Sequence, residues 1–479
     1  MAMGAPRHRI CILVVLCLTT AAPAWGRSDD WAEVSSAGVR ATEEGRFPEA
    51  ERLFRDALQL SEQLSEGDAR RATSLNNLAF TLHAQGHYTA AEPLYREALV
   101  LREAAFGKDH ADVAQSCNNL AELYRVLGRY AEAGPLHERA RAIRERRFGP
   151  EHPEVAQTLN NLGVLYASQG RYEEAEPLYQ QALEIRIASY DDYHLTVAET
   201  RNNLATLYVA QGRYEDARPL YERALAVEQE KLGAAHPSLA ATLSNLAELH
   251  RAEGHLDEAI KLHQRALDLR TAALGPNHPE TAQSQNNLAV TYFEKGEYDQ
   301  AEQLYTRSVA VKEATLGTAH PELALTLNNL AELYRRQRRL DQAEPLYNRA
   351  LAIEQAAFGP QNANLALGLN NLALLHYERG AYLEAQALLR RALAIEEEAY
   401  GRDDPALIVT LENYARVVRE LGRTAEADEL DARAQTLAGG AGFDQPTLNG
   451  SAPPRPAPHD ALTATPRLPS PPSPRPPAS

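Results

Sequence analysis

Pairs of asparagines recur every 42 residues along most of this chain, and this period constrains the fold more than any other feature of the sequence. A fixed period of roughly 20–50 residues is typical of repeat proteins, in which each unit buries its apolar face only against its neighbours. The period therefore predicts one elongated array over residues 32–437, not the roughly three domains that 479 residues could otherwise form. The pairs are Asn76-Asn77, Asn118-Asn119, Asn160-Asn161, Asn202-Asn203, Asn286-Asn287, Asn328-Asn329 and Asn370-Asn371, and Ser244-Asn245 and Glu412-Asn413 take the same places in two further units.

Each period contains two amphipathic helices. Apolar residues within 159–166 and again within 175–185 follow the i, i+3, i+4 spacing of one helical face. Gly170 tolerates a positive φ and is predicted to end the first helix of its unit, and Gly149 ends the second helix of the preceding unit. The sequence therefore predicts an all-α stack of about ten helical hairpins.

Small residues recur where the two helices of a hairpin are expected to cross. A larger side chain at such a place would leave voids or strain. The recurring alanines are Ala121, Ala133 and Ala140, then Ala205, Ala217 and Ala224, and again Ala331, Ala343 and Ala350.

Two short runs resemble a known family. Leu120 and Ala121 followed by Tyr124, and Ala175 followed by Tyr179, are similar to the tetratricopeptide signature. The runs LNNLA-x-LY and GRY-x-EAE-x-LY-x-RAL and the G-x-x-HP linker resemble the kinesin-light-chain type of this repeat over residues 32–437. The resemblance implies a right-handed superhelical solenoid with a concave groove that binds a protein or peptide. Kinesin light chains carry a heptad segment before their repeats, which the residues ahead of 32 do not contain, so only the groove-binding behaviour is expected to carry over.

The resemblance also assigns a candidate peptide-binding groove, because the first helix of each tetratricopeptide unit lines the concave face. A carboxamide has two donors and an acceptor, so a ladder of asparagines can bond to the backbone of an extended peptide whatever its sequence. The charged neighbours would then give side-chain preference. The candidates are both residues of the seven asparagine pairs, together with Asn245 and the pairs Glu122 and Arg125, Glu248 and Arg251, and Glu332 and Arg335.

A purely architectural ladder is the alternative, because an asparagine in a helix can also bond to the adjacent unit. The second asparagine is present in every unit of the ladder and is expected to be partly structural, whereas Ser244 and Glu412 replace the first, which is the freer binding position. The Glu/Arg pairs are i, i+3 neighbours that can neutralise each other. Two other functions stay open: a passive structural element of the cell envelope that acts through its convex face or ends, and an intracellular cargo adaptor that resembles kinesin light chain.

The composition favours polypeptide partners over nucleic acid. The formal net charge is −16, and an acidic surface repels phosphate backbones. The sequence contains no GxxxxGK(S/T) loop, no GxSxG elbow and no CxxC pair, and Arg141 stands where a zinc-protease motif beginning at His137 needs its second histidine. We therefore predict a protein that is not an enzyme and that needs no cofactor or metal.

The linker histidines and the cysteines are predicted to be structural. Metal ligands must converge on one point, and residues 42 apart in a solenoid lie along an edge, so the linker histidines are expected to be turn residues. Cys117 takes a place that is mostly leucine in the other units and is predicted to be a core thiol. The linker histidines are His110, His152, His194, His236, His278 and His320.

Both ends differ from the repeats. Residues 1–24 combine Arg7 and Arg9, an apolar run over 10–18 and an Ala-Pro-Ala cleavage site, which indicates an export signal and a periplasmic or secreted protein. An uncleaved anchor is the alternative, although the run is shorter than the ~20 residues that a spanning helix needs. Residues 25–31 form a short lead. Residues 438–479 contain twelve prolines and are predicted to be a disordered tail, for which a proline-binding domain is one candidate partner.

Overall fold

The computed structural model describes residues 27–62 and 68–440. These residues form consecutive helical hairpins and contain no strand. The first helices of the units are α1 (Arg27–Glu43), α3 (Ala69–Ala84), α5 (Ala111–Val126), α7 (Pro153–Ser168), α9 (Leu195–Ala210), α11 (Leu239–Ala252), α13 (Pro279–Lys295), α15 (Pro321–Arg336), α17 (Leu365–Glu378) and α19 (Ile408–Glu420). The second helices are α2 (Phe47–Glu62), α4 (Tyr88–Phe106), α6 (Tyr130–Phe148), α8 (Tyr172–Tyr190), α10 (Tyr214–Leu232), α12 (Leu256–Leu274), α14 (Tyr298–Leu316), α16 (Leu340–Phe358), α18 (Tyr382–Tyr400) and α20 (Thr424–Gly440). The predicted all-α solenoid of about ten hairpins is confirmed.

Local sequence determines where each helix begins and ends. Gly170 lies in the turn of its hairpin with φ at +71°, a conformation that glycine adopts without steric cost. In the linker that precedes α7, Nδ1 of His152 accepts a hydrogen bond from the backbone N–H of Glu154 at 3.2 Å. Pro153 follows in the first turn, where a missing N–H costs nothing. Histidines 110, 194, 278 and 320 make the same cap, and His236 accepts from the N–H of Ser238, so the prediction that these are turn residues is confirmed.

Small residues let the two helices of a hairpin approach closely. The predicted alanines, among them Ala121, Ala133 and Ala140, are fully buried. Gly163 replaces the first of these in the next unit, and a Cβ there would lie 2.8 Å from the ring of Tyr179. The residue at this crossing is therefore alanine or glycine, depending on how closely the ring of the second helix approaches it.

Cys117 is part of the apolar core. Its thiol is fully buried in a cluster with Val113, Ala114 and Ile143. Burial raises the pKa of the thiol to about 11, so the neutral form persists at physiological pH. The prediction of a core thiol is confirmed.

Helix spacing distinguishes the inner face of the solenoid from the outer one. Among the described residues, the first helices of neighbouring units contact each other, as α5 contacts α7, whereas the second helices of neighbouring units do not. In a curved stack the closer helices lie on the inside. The odd-numbered helices therefore form the inner, concave face.

Consecutive turns of the solenoid also contact each other, at places where the partners are more than five units apart in sequence. The ring of Tyr88 in α4 stacks on Phe358 of α16 with the ring centroids 5.7 Å apart. Nδ1 of His320 accepts a hydrogen bond from the backbone N–H of Glu322, so Nε2 carries the ring proton. Nε2 lies 3.1 Å from the carbonyl oxygen of Ala84.

The same arrangement recurs in the neighbouring units. Nδ2 of Asn362 donates to the carbonyl oxygen of Leu127 at 2.7 Å, across 235 residues of sequence. A Cβ on Gly45 would lie 2.5 Å from Nε2 of His278. The hairpin turns of units one to three thus rest on the linkers of residues 278, 320 and 362. We call this set of contacts the inter-turn contact.

Both ends of the solenoid extend beyond the predicted bounds. α1 begins at Arg27, ahead of residue 32, because Trp31 is buried and its indole N–H donates to Oγ of Ser74 at 2.9 Å. α20 continues to Gly440, past residue 437. The predicted export signal and the tail from residue 441 onwards lie outside the described residues. No helix in the described part of the chain is both long enough and apolar enough to cross a membrane.

Candidate peptide-binding face

The asparagine pairs lie on the odd-numbered helices and form one continuous ladder along the inner face. None of these side chains is more than 9% exposed. The ladder is therefore the floor of the concave face, with its carboxamides packed between adjacent units.

Hydrogen bonds between asparagines connect four pairs of adjacent units. In each bond, Nδ2 of a second asparagine donates to Oδ1 of the first asparagine in the preceding unit. The bonds run from Asn119 to Asn76 at 2.9 Å, from Asn203 to Asn160 at 3.0 Å, from Asn329 to Asn286 at 3.0 Å and from Asn413 to Asn370 at 3.2 Å. This is the interaction expected of an architectural ladder, and it uses the second asparagines as donors.

Four asparagines of the ladder, three of them the first of their pair, keep part of their hydrogen-bonding capacity unused. Oδ1 of Asn202, Oδ1 of Asn328 and Nδ2 of Asn160 are buried and have no hydrogen-bond partner among the described residues, and the same is true of Nδ2 of Asn245. A buried polar atom left unpaired costs about 1–3 kcal/mol. Pairing with water or with the backbone of a peptide would recover this cost, and because the atoms are buried a ligand reaches them only when the carboxamide turns towards the groove.

The Glu/Arg pairs lie one turn further along the same helices. Each arginine contacts its glutamate at 2.5–2.6 Å, for Glu122 with Arg125, Glu248 with Arg251 and Glu332 with Arg335. Each arginine also reaches the next unit, where the partners are Ser168, Glu294 and Glu378. The pairs neutralise each other within a helix and at the same time connect neighbouring units.

Glu248 shows how strongly this environment favours the ionised carboxylate. Burial by itself would raise its pKa, but the guanidinium of Arg251 and the ring of His263 outweigh burial and lower the pKa to about 2. Nε2 of His263 lies 3.0 Å from Oε1 of Glu248. The inner face at this unit thus carries a fixed, compensated charge.

A second layer of polar side chains supports the inner face from the even-numbered helices, and sequence analysis missed it. Oη of Tyr347 donates to Oε2 of Glu332 at 2.9 Å. Oη of Tyr221 lies 2.8 Å from Oγ1 of Thr206. The sequence contained a signal for this layer, because either tyrosine or histidine occupies one repeat position in seven units, and both can hydrogen-bond to a neighbour.

A position near the end of the even-numbered helices carries a buried charge, which sequence analysis also missed. Nζ of Lys312 is fully buried and donates to Oε1 of Gln283 at 2.8 Å and to Oγ1 of Thr326 at 3.1 Å. Lys312 thereby connects the first helix of its own unit, α13, to the first helix of the next unit, α15. Arginine takes the same place in four other units, at Arg102, Arg144, Arg186 and Arg270.

Three units carry a carboxyl group at this position instead, at Glu228, Glu354 and Glu396. Oγ1 of Thr242 donates to Oε1 of Glu228 at 2.9 Å, while Oε2 is buried and has no partner in the described chain. Burial raises the pKa of Glu228 and of Glu396 to about 7. These two groups therefore change charge near neutral pH.

Comparisons with known proteins agree with the geometry. Tetratricopeptide repeat profiles match residues 35–68 and 71–112, and then residues 111–188, 158–230, 196–271, 238–314, 293–356, 322–395 and 364–438. None of the curated proteins matches the chain.

Several solved structures are similar in fold. BtubC (BKLC) from P. vanneervenii is 22% identical over 59% of this chain and 96% of its own, with a TM-score of 0.37. A putative kinesin light chain from Podospora anserina with nearly identical TPR-like repeats is 28% identical over 43% of this chain and 98% of its own, with a TM-score of 0.36. A Rap protein complexed with competence and sporulation factor is 16% identical over 78% of this chain and 98% of its own, with a TM-score of 0.49.

Proposed function

The chain belongs to the tetratricopeptide repeat family, and from this premise we propose that it is a non-enzymatic scaffold that binds an extended segment of a partner protein along its inner face. Repeats of this family support protein–protein interaction. The observation that carries the proposal is the set of buried, unpaired carboxamide atoms, such as Oδ1 of Asn202 and Oδ1 of Asn328.

The chemistry of the inner face favours a peptide backbone as the ligand. An apolar helix placed against this floor would leave the unpaired carboxamide atoms, such as Oδ1 of Asn202, without partners, which is costly. An extended backbone presents a donor and an acceptor at nearly every residue, and a carboxamide can meet either. The regular spacing of the ladder favours a segment that runs along several units, with the paired charges of Arg125, Arg251 and Arg335 offering polar contacts along its path.

Substitutions of two adjacent asparagines in α9 are expected to distinguish an effect on ligand binding from an effect on stability. Asn202→Ala removes an unpaired acceptor, so we expect it to weaken peptide binding about fivefold, which corresponds to ~1 kcal/mol, with little change in stability. Asn203→Ala removes the donor to Asn160, so we expect it to lower the free energy of unfolding by ~1–3 kcal/mol. The measurements are Kd values for peptides selected from a random library on the wild-type protein, and urea unfolding of each variant.

These two variants control for each other, because both side chains are no more than 2% exposed on the same helix. Equal Kd values for the wild-type protein and Asn202→Ala would contradict the proposal and transfer the function to the convex face or to the ends. A selection that enriches no peptide would have the same meaning.

We also propose that the protein acts outside the cytoplasm, in the periplasm or as a secreted protein. The basic start, short apolar run and Ala-Pro-Ala site of residues 1–24 support this proposal. We expect amino-terminal sequencing of the protein from its native source to begin at Trp25, because the signal would be removed after Ala24. A native protein that begins at Met1 would contradict export by cleavage.

A further inference from the structure

The hairpin turn between α11 and α12 brings two imidazoles and a carboxylate together. Nδ1 of His255 lies 3.4 Å from Oε2 of Glu253, and Nδ1 of His250 lies 3.9 Å from the same oxygen. The three potential ligand atoms all lie within 4.8 Å of one another. Within residues 27–62 and 68–440, no other group of three such side chains converges in this way.

This turn differs from its equivalents in the other units. In four other units the turn arginine lies over the ring of the repeat tyrosine, as Arg213 lies 3.9 Å from the ring centroid of Tyr208. Histidine replaces both residues here, as His250 and His255. This unit therefore has two imidazoles, which can bind a cation, where the preceding unit has an arginine stacked on a tyrosine.

The ligand atoms suit a metal ion of the zinc class. Such ions bind imidazole nitrogen and carboxylate oxygen at about 2.0–2.2 Å, which places the donors of a tetrahedral site roughly 3.3–3.6 Å apart. The separations of 3.4 and 3.9 Å come close to that spacing without movement of the backbone. Nδ1 of His250 is buried and has no hydrogen-bond partner in the described chain. Nε2 of the same ring accepts from the guanidinium of Arg218 at 3.5 Å, so metal binding at Nδ1 requires the ring proton to move to Nε2 and this long contact to be given up.

The surroundings orient these ligands. Arg218 in α10 donates two hydrogen bonds to Glu253, at 2.7 and 2.6 Å, in the way that outer residues hold a ligating carboxylate.

We propose that His250, Glu253 and His255 form a binding site for a divalent transition-metal ion of the zinc class. The side chain of His255 is 60% exposed, so the site opens to solvent at the surface of the turn. Three protein ligands leave a fourth position to water or to a donor from a bound partner. The positive charge of Arg218 opposes a cation, so affinity is weaker than at a structural site with four protein ligands.

His87 provides a matched control for His255. It occupies the equivalent position in the turn between α3 and α4, where Leu82 stands in place of His250. Changing either histidine to arginine introduces the residue that several other units carry at this position, such as Arg213. Both substitutions are therefore compatible with the fold.

The test is titration of the chain, purified without an affinity tag, with Co²⁺ and with Zn²⁺. We expect one equivalent of Co²⁺ to give the visible absorption of a low-symmetry site, Zn²⁺ to displace it, and His255→Arg to lower the affinity at least ~10-fold. His87→Arg should leave the affinity unchanged. Absence of stoichiometric binding, or equal losses in the two variants, would overturn the proposal, and thermal unfolding of each variant verifies that it is folded.

Discussion

Gly86→Ala is expected to separate two turns of the solenoid, whereas Gly170→Ala is expected to leave them in place. Both glycines have positive φ, at +74° and +71°, so alanine brings the same backbone cost of ~1–2 kcal/mol at each position. The surroundings differ. A Cβ on Gly86 would lie 2.4 Å from Cδ of Pro321, while nothing lies within 4 Å of the equivalent point on Gly170.

The clash at Gly86 cannot be relieved by a flexible side chain, because its partner is a proline ring at the start of α15. We expect the inter-turn contact to open, with loss of the hydrogen bond between His320 and Ala84 and a further ~1–3 kcal/mol of destabilisation. Small-angle X-ray scattering should report a larger radius of gyration for Gly86→Ala alone, and urea unfolding should report the difference in stability. Equal radii and equal stabilities for the two variants would show that the turns do not touch in solution.

Glu228→Gln and Glu396→Gln are expected to stabilise the protein at pH 8 and to change little at pH 4. Burial raises the pKa of each carboxyl from its usual value near 4.5 to about 7 in the folded state. Folding thus favours the protonated form of each carboxyl. Its contribution to the free energy of unfolding is complete below pH ~4.5 and is lost as pH rises through about 7. Above that pH each ionised carboxylate costs on the order of 2–3 kcal/mol, which glutamine avoids.

Urea unfolding between pH 4 and 8 checks this expectation, because the difference between variant and wild type should grow with pH. Glu215→Gln, exposed on the same helix as Glu228, is the control and should show no such trend. A constant difference across the pH range would mean that Glu228 and Glu396 are ionised throughout, and that some group outside their own units compensates their charge.

The hairpin architecture could be predicted from sequence because it depends on local rules that repeat. The glycine turns, the Pro153 start of α7, the histidine caps and the buried alanines each depend on neighbours within one unit or the next. Because the same residues recur at the same place in each unit, the sequence shows each of these local interactions several times. The core position of Cys117 followed in the same way, from the residues at its equivalent positions.

The inter-turn contact could not be predicted, because it depends on the small rotation between successive units, summed over more than five of them. Nothing in the sequence around Gly86 identifies His320 as its neighbour. The depth of the asparagines depends on the same curvature, and it distinguishes Asn203, which bonds to Asn160, from Asn202, which keeps an unpaired acceptor. The cluster around His255 could not be predicted, because a hairpin turn brings its residues together and they do not share the 42-residue period of the linker histidines.

The inter-turn contact has a consequence for the kinetics of recognition. Where the hairpin turns of units one to three touch the linkers of the next turn, the lateral approach to the inner face is blocked, so a partner segment at these units has to enter past one end of the coil or wait until the turns part. A free chain terminus can enter through an end, but a segment in the middle of a folded protein cannot. Both association and dissociation should then be slow. The residence time of a ligand would be set by how often the coil opens, not by the strength of any single contact.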